Sequence, residues 1–308
     1  MRIDSTTTYT GWKTWTPTND EWSDFFMEKK VPFEMLENEY LIIYDSNNQP
    51  TFYCYEQGRL RPFRGGSIKV SKDKTTDDQA PQTSIKKGKP KFAKDKDIVI
   101  TPRNAEQHCA FDLIKDQRKT VKLLTGTWGA GKDLIMTSFA IEALNKGLYE
   151  KIIWVRNDTD LKDTKPMGAL PGDVTEKFLP FLGPFIDHVG KRTVELMLKQ
   201  DQLVIEPLQS LRGRNFKNSI ILCSEAENMT YDQLKLLIAR VADGSCLLIN
   251  GDVRQRDKAI FEKSKGLEKF ITCLKGEPLF GYVHLPRSER SATASLADKL
   301  DTFEFSEE

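Results

Sequence analysis

The most constraining feature of the sequence is a glycine-rich turn, Gly126-Thr127-Trp128-Gly129-Ala130-Gly131-Lys132, which lies directly between an apolar run and a helical stretch. Its GxxxxGK spacing is that of a P-loop. Successive backbone N–H groups of such a loop face one phosphate, the start of the next helix adds its positive dipole end, and Lys132 supplies a point charge to the β- and γ-phosphate oxygens. The flanking strand and helix favour a nucleotide-binding site over a solvated turn.

Apolar runs and helical stretches alternate on both sides of this loop. The predicted strands are Val121 to Thr125, Lys151 to Val155, Leu203 to Ile205, Ser219 to Cys223, Cys246 to Asn250 and Tyr282 to Leu285. The predicted helices are Lys132 to Lys146, Val174 to Phe178, Thr193 to Lys199, Tyr231 to Val241, Gly266 to Leu274 and Ala292 to Leu300. Strands that are apolar throughout are buried on both faces of a sheet. The pattern therefore predicts an α/β fold with a doubly wound, mainly parallel sheet.

The clearest break in composition lies between residues 71 and 97, where polar residues and lysines dominate. Such a stretch cannot bury enough surface to offset its ordering entropy. We therefore divide the chain into a small N-terminal module at residues 1–70, a lysine-rich linker at 71–97 and a nucleotide-binding domain at 98–308. The linker lysines either belong to a solvated hinge or contact phosphate backbones.

The N-terminal module is predicted to be α+β. Asp20 to Lys30 has the pattern of a short amphipathic helix that ends before Pro32. Three alternating runs predict strands, and they are Tyr40 to Tyr44, Thr51 to Tyr55 and Arg59 to Phe63. The aromatic residues of the module form either its core or a platform on which bases stack. These residues are Trp12, Trp15, Trp22, Tyr53 and Tyr55.

Two residues depart from the usual metal ligands of a P-loop site. A P-loop normally ends in Ser or Thr, whose hydroxyl binds Mg²⁺, but here Asp133 follows Lys132. In P-loop proteins a later strand of the sheet normally ends at an Asp that is linked to the metal ion. Here Ser224 and Glu225 follow Cys223 instead. Glu225 stands where a carboxylate that orients the attacking water belongs. We interpret the departures as an exchange, in which Asp133 and Ser224 together supply one carboxylate and one hydroxyl to Mg²⁺.

The sequence also allows the opposite interpretation of Asp133. Without a metal between them, its carboxylate and the nucleotide phosphates would repel by roughly several kcal/mol in a partly dry site. Such a site would bind nucleotide poorly, or bind it without hydrolysis.

Residues further along the chain fit the same site. The segment Gly251-Asp252-Val253-Arg254-Gln255 follows an apolar run, and Gln255 could sense the γ-phosphate or orient the attacking water. Phosphoryl transfer also needs positive charge near the transferred group. The candidate arginines are Arg212, Arg214 and Arg290, each of which has Gly or Ser as a near neighbour.

The order of these motifs resembles the PhoH-like family of P-loop ATPases, from about Ile98 to Leu300. Outside the P-loop, the resemblance rests on several segments in register. They are Thr101 to Gln107, Met167 to Asp173, Glu176-Lys177, Phe181 to Asp187, Leu211 to Arg214, Ser224 to Asn228, Gly251 to Gln255 with Asp257, and Glu289-Arg290-Ser291. Asp133, Ser224 and Glu227 differ from the family pattern, which has Gln in the place of Glu227.

The resemblance implies a RecA-like ATPase core with Asn104 and Gln107 near the adenine, a preference for purines and Arg290 as a candidate arginine finger. It also implies that the ligands are ATP and Mg²⁺, that the protein acts on RNA or single-stranded nucleic acid in a helicase-like or remodelling role, and that it forms a ring of identical subunits. The segment before the linker lacks the clustered acids of the PIN nuclease found in longer relatives, so nuclease activity is not implied.

Composition excludes several other classes. With 46 Lys and Arg against 45 Asp and Glu, the net charge of +1 argues against a uniformly basic nucleic-acid binder. No apolar run approaches the roughly 20 residues of a membrane span, and no apolar stretch of signal-peptide type begins the chain. The five cysteines are scattered without a CxxC pair, which fits neither a disulfide framework nor a zinc site. We therefore expect a cytoplasmic protein with no membrane partner.

Two alternatives to an ATPase stay open from the sequence. One is a degenerate module that uses nucleotide for binding or assembly without hydrolysis. The other is a metal-dependent nuclease built on Asp160, Asp163 and Asp173, although solvated loop charges explain these acids as well.

Overall fold

The computed structural model describes residues 8–70, 98–156, 182–253 and 265–289. The N-terminal module contains β1 (Trp12–Trp15), α1 (Asn19–Glu28), β2 (Tyr40–Tyr44), β3 (Pro50–Glu56) and β4 (Arg59–Pro62). Its four strands form one sheet in the order β1-β2-β3-β4, parallel between β1 and β2 and antiparallel elsewhere. The predicted α+β character of this module is therefore confirmed.

Aromatic side chains form the small core of this module. Phe25 of α1 is fully buried, and its ring lies 5.7 Å from that of Trp15, 5.9 Å from Trp22 and 5.4 Å from Tyr53. The helix ends earlier than predicted because Lys29 adopts a left-handed conformation with φ of 54°. Of the two interpretations of the module's aromatics, these contacts support the core for Trp15, Trp22 and Tyr53.

Two short strands lead from the module to the main domain. They are β5 (Ile68–Val70) and β6 (Ile98–Ile100), which pair antiparallel across residues 71–97. The predicted linker itself lies outside the described residues. Pairing between the two strands brings the ends of that segment together beside the main domain.

The main domain is built on six parallel strands. In chain order they are β7 (Val121–Gly126), β8 (Lys151–Arg156), β9 (Leu203–Pro207), β10 (Ser219–Cys223), β11 (Cys246–Gly251) and β12 (Phe280–Leu285). In the sheet they follow the order β12-β7-β11-β10-β8-β9, and every pairing is parallel. The predicted parallel sheet is therefore confirmed, with all six strands at the predicted positions.

Helices cover both faces of this sheet. The described helices are α2 (Ala105–Lys115), α3 (Lys132–Asn145), α4 (Gly183–Val189), α5 (Lys191–Lys199), α6 (Tyr231–Ile238) and α7 (Gly266–Leu274). Alternate residues of a strand point to opposite faces. Ile220 and Leu222 of β10 accordingly pack with α2 to α5, whereas Ile221 and Cys223 pack with α6 and α7. The sheet is thus doubly wound, as a RecA-like P-loop fold requires.

The predicted helices that fall on described residues agree with these elements apart from one boundary, whereas α2 and α4 were not predicted as helices. The helix starting at Tyr231 ends at Ile238 rather than Val241, because Val241 forms a β-bridge with Phe216. The predicted helices Val174 to Phe178 and Ala292 to Leu300 lie outside the described residues. Among the described residues, no helix is both long and apolar enough to cross a bilayer.

A buried ionic cluster joins the N-terminal module to α2. Arg61 of β4 donates 2.7 Å to Asp112 of α2 and 3.0 Å to Glu56 of β3. Lys119, just before β7, donates 2.8 Å to Glu56 and 2.6 Å to Asp116. Burial alone would raise the pKa of Glu56, but the hydrogen bonds from Arg61, Lys119 and a further arginine lower it to about 2. The module is therefore fixed to the helix that leads to the P-loop.

Candidate nucleotide-binding site

The glycine-rich turn closes tightly between β7 and α3. Gly126 has φ of 148°, and a Cβ atom there would lie 2.1 Å from the carbonyl oxygen of Leu285 in β12. Gly131, the residue that caps α3, has φ of 87°, and Gly129 has φ of 74°. These conformations are accessible to glycine at little cost. The glycine spacing thus has a steric cause in this fold, since the loop must turn sharply beside the neighbouring strand.

Lys132 lies inside the turn. Its Nζ donates hydrogen bonds of 2.7 Å to the Gly126 carbonyl and 2.9 Å to the Thr127 carbonyl. Trp128, at the tip of the loop, leaves 52% of its surface exposed, whereas Ala130 is buried. The positive charge is therefore held in the loop at the start of α3, where the helix dipole also favours anions.

Asp133 and Ser224 contact each other. Ser224 follows β10, and its Oγ donates a 3.0 Å hydrogen bond to Oδ1 of Asp133, the second residue of α3. In an ordinary P-loop site the hydroxyl belongs to the loop and the carboxylate to the strand. Here one hydroxyl and one carboxylate face each other with their positions exchanged. The pair provides two oxygen ligands of the kind that Mg²⁺ prefers.

Nowhere in the described ranges do three or more His, Cys, Asp or Glu side chains cluster as metal ligands. Magnesium in phosphate-transfer sites is held by one or two carboxylates and by the phosphates themselves. The acids of the nuclease alternative, Asp160, Asp163 and Asp173, lie outside the described residues.

Asn250 is a site residue that sequence reasoning missed. It belongs to β11, the strand between β7 and β10, and only 2% of it is exposed. Its Nδ2 donates 2.7 Å to Oδ1 of Asp133, and its Oδ1 accepts a 3.2 Å hydrogen bond from the backbone N–H of Glu225. A polar side chain at the end of the apolar run Cys246 to Ile249 was the available sequence clue. One amide thus bridges the two acidic positions of the site.

Glu225 occupies a strained backbone position. Its φ of 58° and ψ of 42° place it in the left-handed region, which costs free energy for a residue with a side chain. Its side chain is exposed at the end of β10, one residue after Ser224. Such strain persists only where surrounding contacts impose it, and the hydrogen bond that the Glu225 N–H donates to Asn250 is one such contact.

Glu227 ties the turn after β10 to the loop after β11. Its Oε2 accepts a 3.0 Å hydrogen bond from the backbone N–H of Asp252, and a Cβ atom on Gly251 would lie 2.7 Å from the same oxygen. Burial, together with the nearby charge of Glu225, raises the pKa of Glu227 to about 7. The loop that Glu227 holds leads towards Gln255, which lies outside the described residues.

Gln107 and Asn104 brace the loop from the other side. Gln107 Nε2 donates 3.0 Å to the carbonyl of Ala130, and its Oε1 accepts 2.8 Å from the Arg103 N–H. Asn104 caps α2 and donates 2.6 Å from Nδ2 to Glu289 Oε1. The amide of Gln107 is therefore engaged at both ends by backbone groups.

A cavity of about 380 Å³ opens beside these residues. Gln107 and Glu289 contribute polar groups to its wall, and apolar side chains include Ile98, Leu134 and Ile135. Gly129 and Gly131 of the loop also line it. A partly apolar cavity that adjoins a phosphate-binding loop has the size and chemistry of a small-ligand pocket.

Two of the three candidate arginines are described, and both lie apart from this cavity. Arg212 and Arg214 follow β9, which is four strands from β7 in the sheet, or about 19 Å at the usual spacing. Arg214 forms an ion pair with Glu206 and lies over the ring of Phe216 at 5.2 Å. Arg290 lies outside the described residues. A finger role for any of the three stays a prediction.

Comparison with known proteins agrees with the geometry. The family model for PhoH-like protein matches residues 99–297. Protein PhoH2 of Bacillus subtilis (strain 168) is 30% identical over 211 residues, which cover 65% of this chain and 47% of that protein. Protein PhoH of Escherichia coli (strain K12) is 30% identical over 176 residues, which cover 55% of this chain and 48% of that protein.

A third relative gives a similar match. The PhoH-like protein of Synechocystis sp. is 28% identical over 177 residues, which cover 56% of this chain and 53% of that protein. The matched part thus spans about half the length of these relatives. Taken with the P-loop, the six-stranded parallel sheet and the acids after β10, the match over residues 99–297 shows that this chain belongs to the PhoH-like protein family of P-loop NTPases.

Proposed function

We propose that this chain binds ATP with Mg²⁺ and hydrolyses it. The observation that carries the proposal is the 3.0 Å hydrogen bond between Ser224 and Asp133 at the end of the P-loop. It supports the presence of both protein ligands of an ordinary P-loop site, one hydroxyl and one carboxylate, despite the unusual residue at each position. The site then keeps one carboxylate, as an ordinary P-loop site does, and only the location of the charge changes.

Each residue of the site has a proposed role. Lys132 and the backbone N–H groups of residues 126–131 hold the phosphates, and Asp133 and Ser224 hold the metal ion. Bound Mg²⁺ would neutralise charge that develops on the phosphate oxygens. Glu225 orients the attacking water from its exposed position next to Ser224. Gln255 and Arg290 keep the roles proposed from the sequence.

The cavity beside Gln107 is the proposed site of the adenine ring. Its apolar walls, Ile98, Leu134 and Ile135, would bury the faces of the base. Because both ends of the Gln107 amide are engaged by backbone groups, we propose that Gln107 braces the P-loop in addition to lying near the base.

We further propose that the ATPase acts on RNA or single-stranded nucleic acid, in a helicase-like or remodelling role. The support is the register of motifs shared with the family, together with the arginine turn Arg212 to Arg214, which follows the carboxyl end of β9 as the P-loop follows the carboxyl end of β7. A ring of identical subunits and a cytoplasmic location complete the proposal. All five cysteines are free thiols, which suits a reducing compartment.

The test of hydrolysis compares Glu225→Gln with Glu150→Gln. Glu150 lies just before β8, at the amino ends of the parallel strands, whereas the site lies at their carboxyl ends. Its change therefore removes an exposed carboxylate without touching the site. We expect Glu225→Gln to lower phosphate release from ATP by at least about 10²-fold while ATP still raises the melting temperature. The Glu150→Gln control should keep full turnover.

Two results would overturn parts of this proposal. Unchanged turnover in Glu225→Gln would refute the role of Glu225. A wild-type protein that ATP stabilises but that releases no phosphate would instead be the non-hydrolysing nucleotide-binding module, for which the carboxylate of Asp133 beside the phosphates gives a physical reason.

A further inference from the structure

Asn250 is an amide at the end of an otherwise apolar strand. It follows Cys246 to Ile249, all of which are buried, and is itself 2% exposed. Burying an amide costs free energy unless both of its ends find partners. Both ends of Asn250 are bonded, one to a side chain of α3 and the other to the backbone after β10. The amide is therefore satisfied only when these two elements are in place.

The partners fix the orientation of the amide. A backbone N–H can only donate, so the Asn250 oxygen must face the N–H of Glu225. The NH₂ group then faces Asp133, whose ionised carboxylate can only accept. An aspartate at position 250 would present an acceptor to an acceptor, and an apolar residue would leave both groups without this partner.

Two donors converge on one oxygen of Asp133. Asn250 Nδ2 lies 2.7 Å and Ser224 Oγ 3.0 Å from Oδ1. Among the residues that the structure describes, both donors bond Oδ1 and none bonds Oδ2 of Asp133. The carboxylate is thus held by one oxygen, and the other is the one available to a cation. Carboxylates that bind metals are oriented in this way by neighbouring donors.

We propose that Asn250 is a positioning residue of the metal site. It holds the carboxylate of Asp133 for the metal ion and, through its other end, holds the strained backbone of Glu225 at a fixed distance from that carboxylate. The inference rests on the proposed function, because it concerns the same metal and the same water-orienting acid. It predicts that loss of the amide weakens metal binding through Asp133.

The experiment measures metal binding rather than turnover alone. Mn²⁺ binding to the purified full chain at saturating ADP is followed by electron paramagnetic resonance for wild type, Asn250→Leu, Asp133→Ala and the double mutant. Asn250→Ser serves as a second variant, since it keeps a polar group if leucine impairs folding. Asn218→Ser is the matched control. Asn218 Nδ2 also donates a hydrogen bond to a carboxylate, Glu150 Oε1 at 3.1 Å, but at the amino ends of the strands, away from the site.

We expect Asn250→Leu and Asn250→Ser to weaken Mn²⁺ binding by about 10- to 100-fold, the usual effect of removing a group that orients a metal ligand. The Asn218→Ser control should bind Mn²⁺ as wild type does. In the Asp133→Ala background, the Asn250 change should add less than about 3-fold, because the residue through which it acts is gone. Phosphate release at saturating Mg²⁺ should show a lower kcat with a KM for ATP within about 3-fold of wild type.

Two results would overturn the inference. One is unchanged Mn²⁺ affinity in both Asn250 variants, and the other is an equal loss with and without Asp133, which would make the effect merely structural. Failure of the proposed function is seen separately, as a wild-type protein that binds Mn²⁺ but releases no phosphate. In that case the Mn²⁺ affinities still decide the role of Asn250.

Discussion

Returning residues 133 and 224 to the ordinary arrangement tests the exchange of metal ligands. Asp133→Thr alone leaves two hydroxyls and no carboxylate, whereas Ser224→Asp alone sets two carboxylates side by side. Ser224 Oγ lies 3.0 Å from Asp133 Oδ1, so the second change brings two negative charges to roughly 4 Å. At an effective dielectric constant of about 20 the repulsion is about 4 kcal/mol, or nearly 10³-fold in an affinity or a rate.

The double mutant again has one hydroxyl and one carboxylate, now in the ordinary positions of a P-loop site. We expect Ser224→Asp to lower phosphate release by about 10²- to 10³-fold and Asp133→Thr by about 10- to 100-fold. The double mutant should recover to within about 10-fold of wild type, which means that the two changes are strongly coupled. The assay is phosphate release across a Mg²⁺ titration. Losses that simply multiply in the double mutant would refute the shared metal ion.

Three further predictions concern stability and the role of Gln107. Burial raises the pKa of Glu227 from 4.5 to about 7. Between these pH values the folded chain keeps a proton that the unfolded chain has lost. The contribution of Glu227 to stability therefore falls as pH rises. Glu227→Gln should therefore raise the free energy of unfolding at pH 8, by at most about 3 kcal/mol, and by much less near pH 5; an equal effect at both pH values would contradict the shifted pKa. Arg61→Leu should cost about 3–5 kcal/mol in urea unfolding, because it leaves the buried carboxylate of Asp112 without its closest cation, whereas Lys30→Ala in an exposed pair should change nothing measurable. Gln107→Ala should weaken binding of ATP and GTP alike, since it removes a brace of the P-loop, and loss of discrimination between the two with unchanged ATP affinity would instead assign Gln107 to base recognition.

The strands and the P-loop could be predicted from the sequence because the physics there is local. Short apolar runs bounded by polar residues, such as Ser219 to Cys223, are typical of strands buried between two layers of helices, and the glycines of the turn mark backbone positions that exclude side chains. The contact between Asp133 and Ser224 was also predictable. Both residues follow parallel elements that end at one edge of the sheet, so their types could be read as one ligand set.

The rest depends on contacts between residues that are distant in the sequence. Asn250 contacts Asp133 across 117 positions of the sequence. A polar residue after an apolar run, taken alone, resembles the end of any strand. The engagement of both ends of Gln107 by backbone groups depends on how α2 lies against the loop. The ionic cluster around Arg61 combines β3, β4 and α2, and no spacing in the sequence reveals such a pairing.

The central claim is that this exchanged site hydrolyses ATP. Phosphate release by the purified protein with Mg²⁺ or Mn²⁺, with and without RNA or single-stranded DNA, tests it most directly when Lys132→Ala is measured alongside. The account predicts metal-dependent release that falls by at least about 10²-fold in Lys132→Ala and that rises when the nucleic acid on which the protein acts is added. Release that is absent from the wild type, or that is the same in Lys132→Ala, would contradict it.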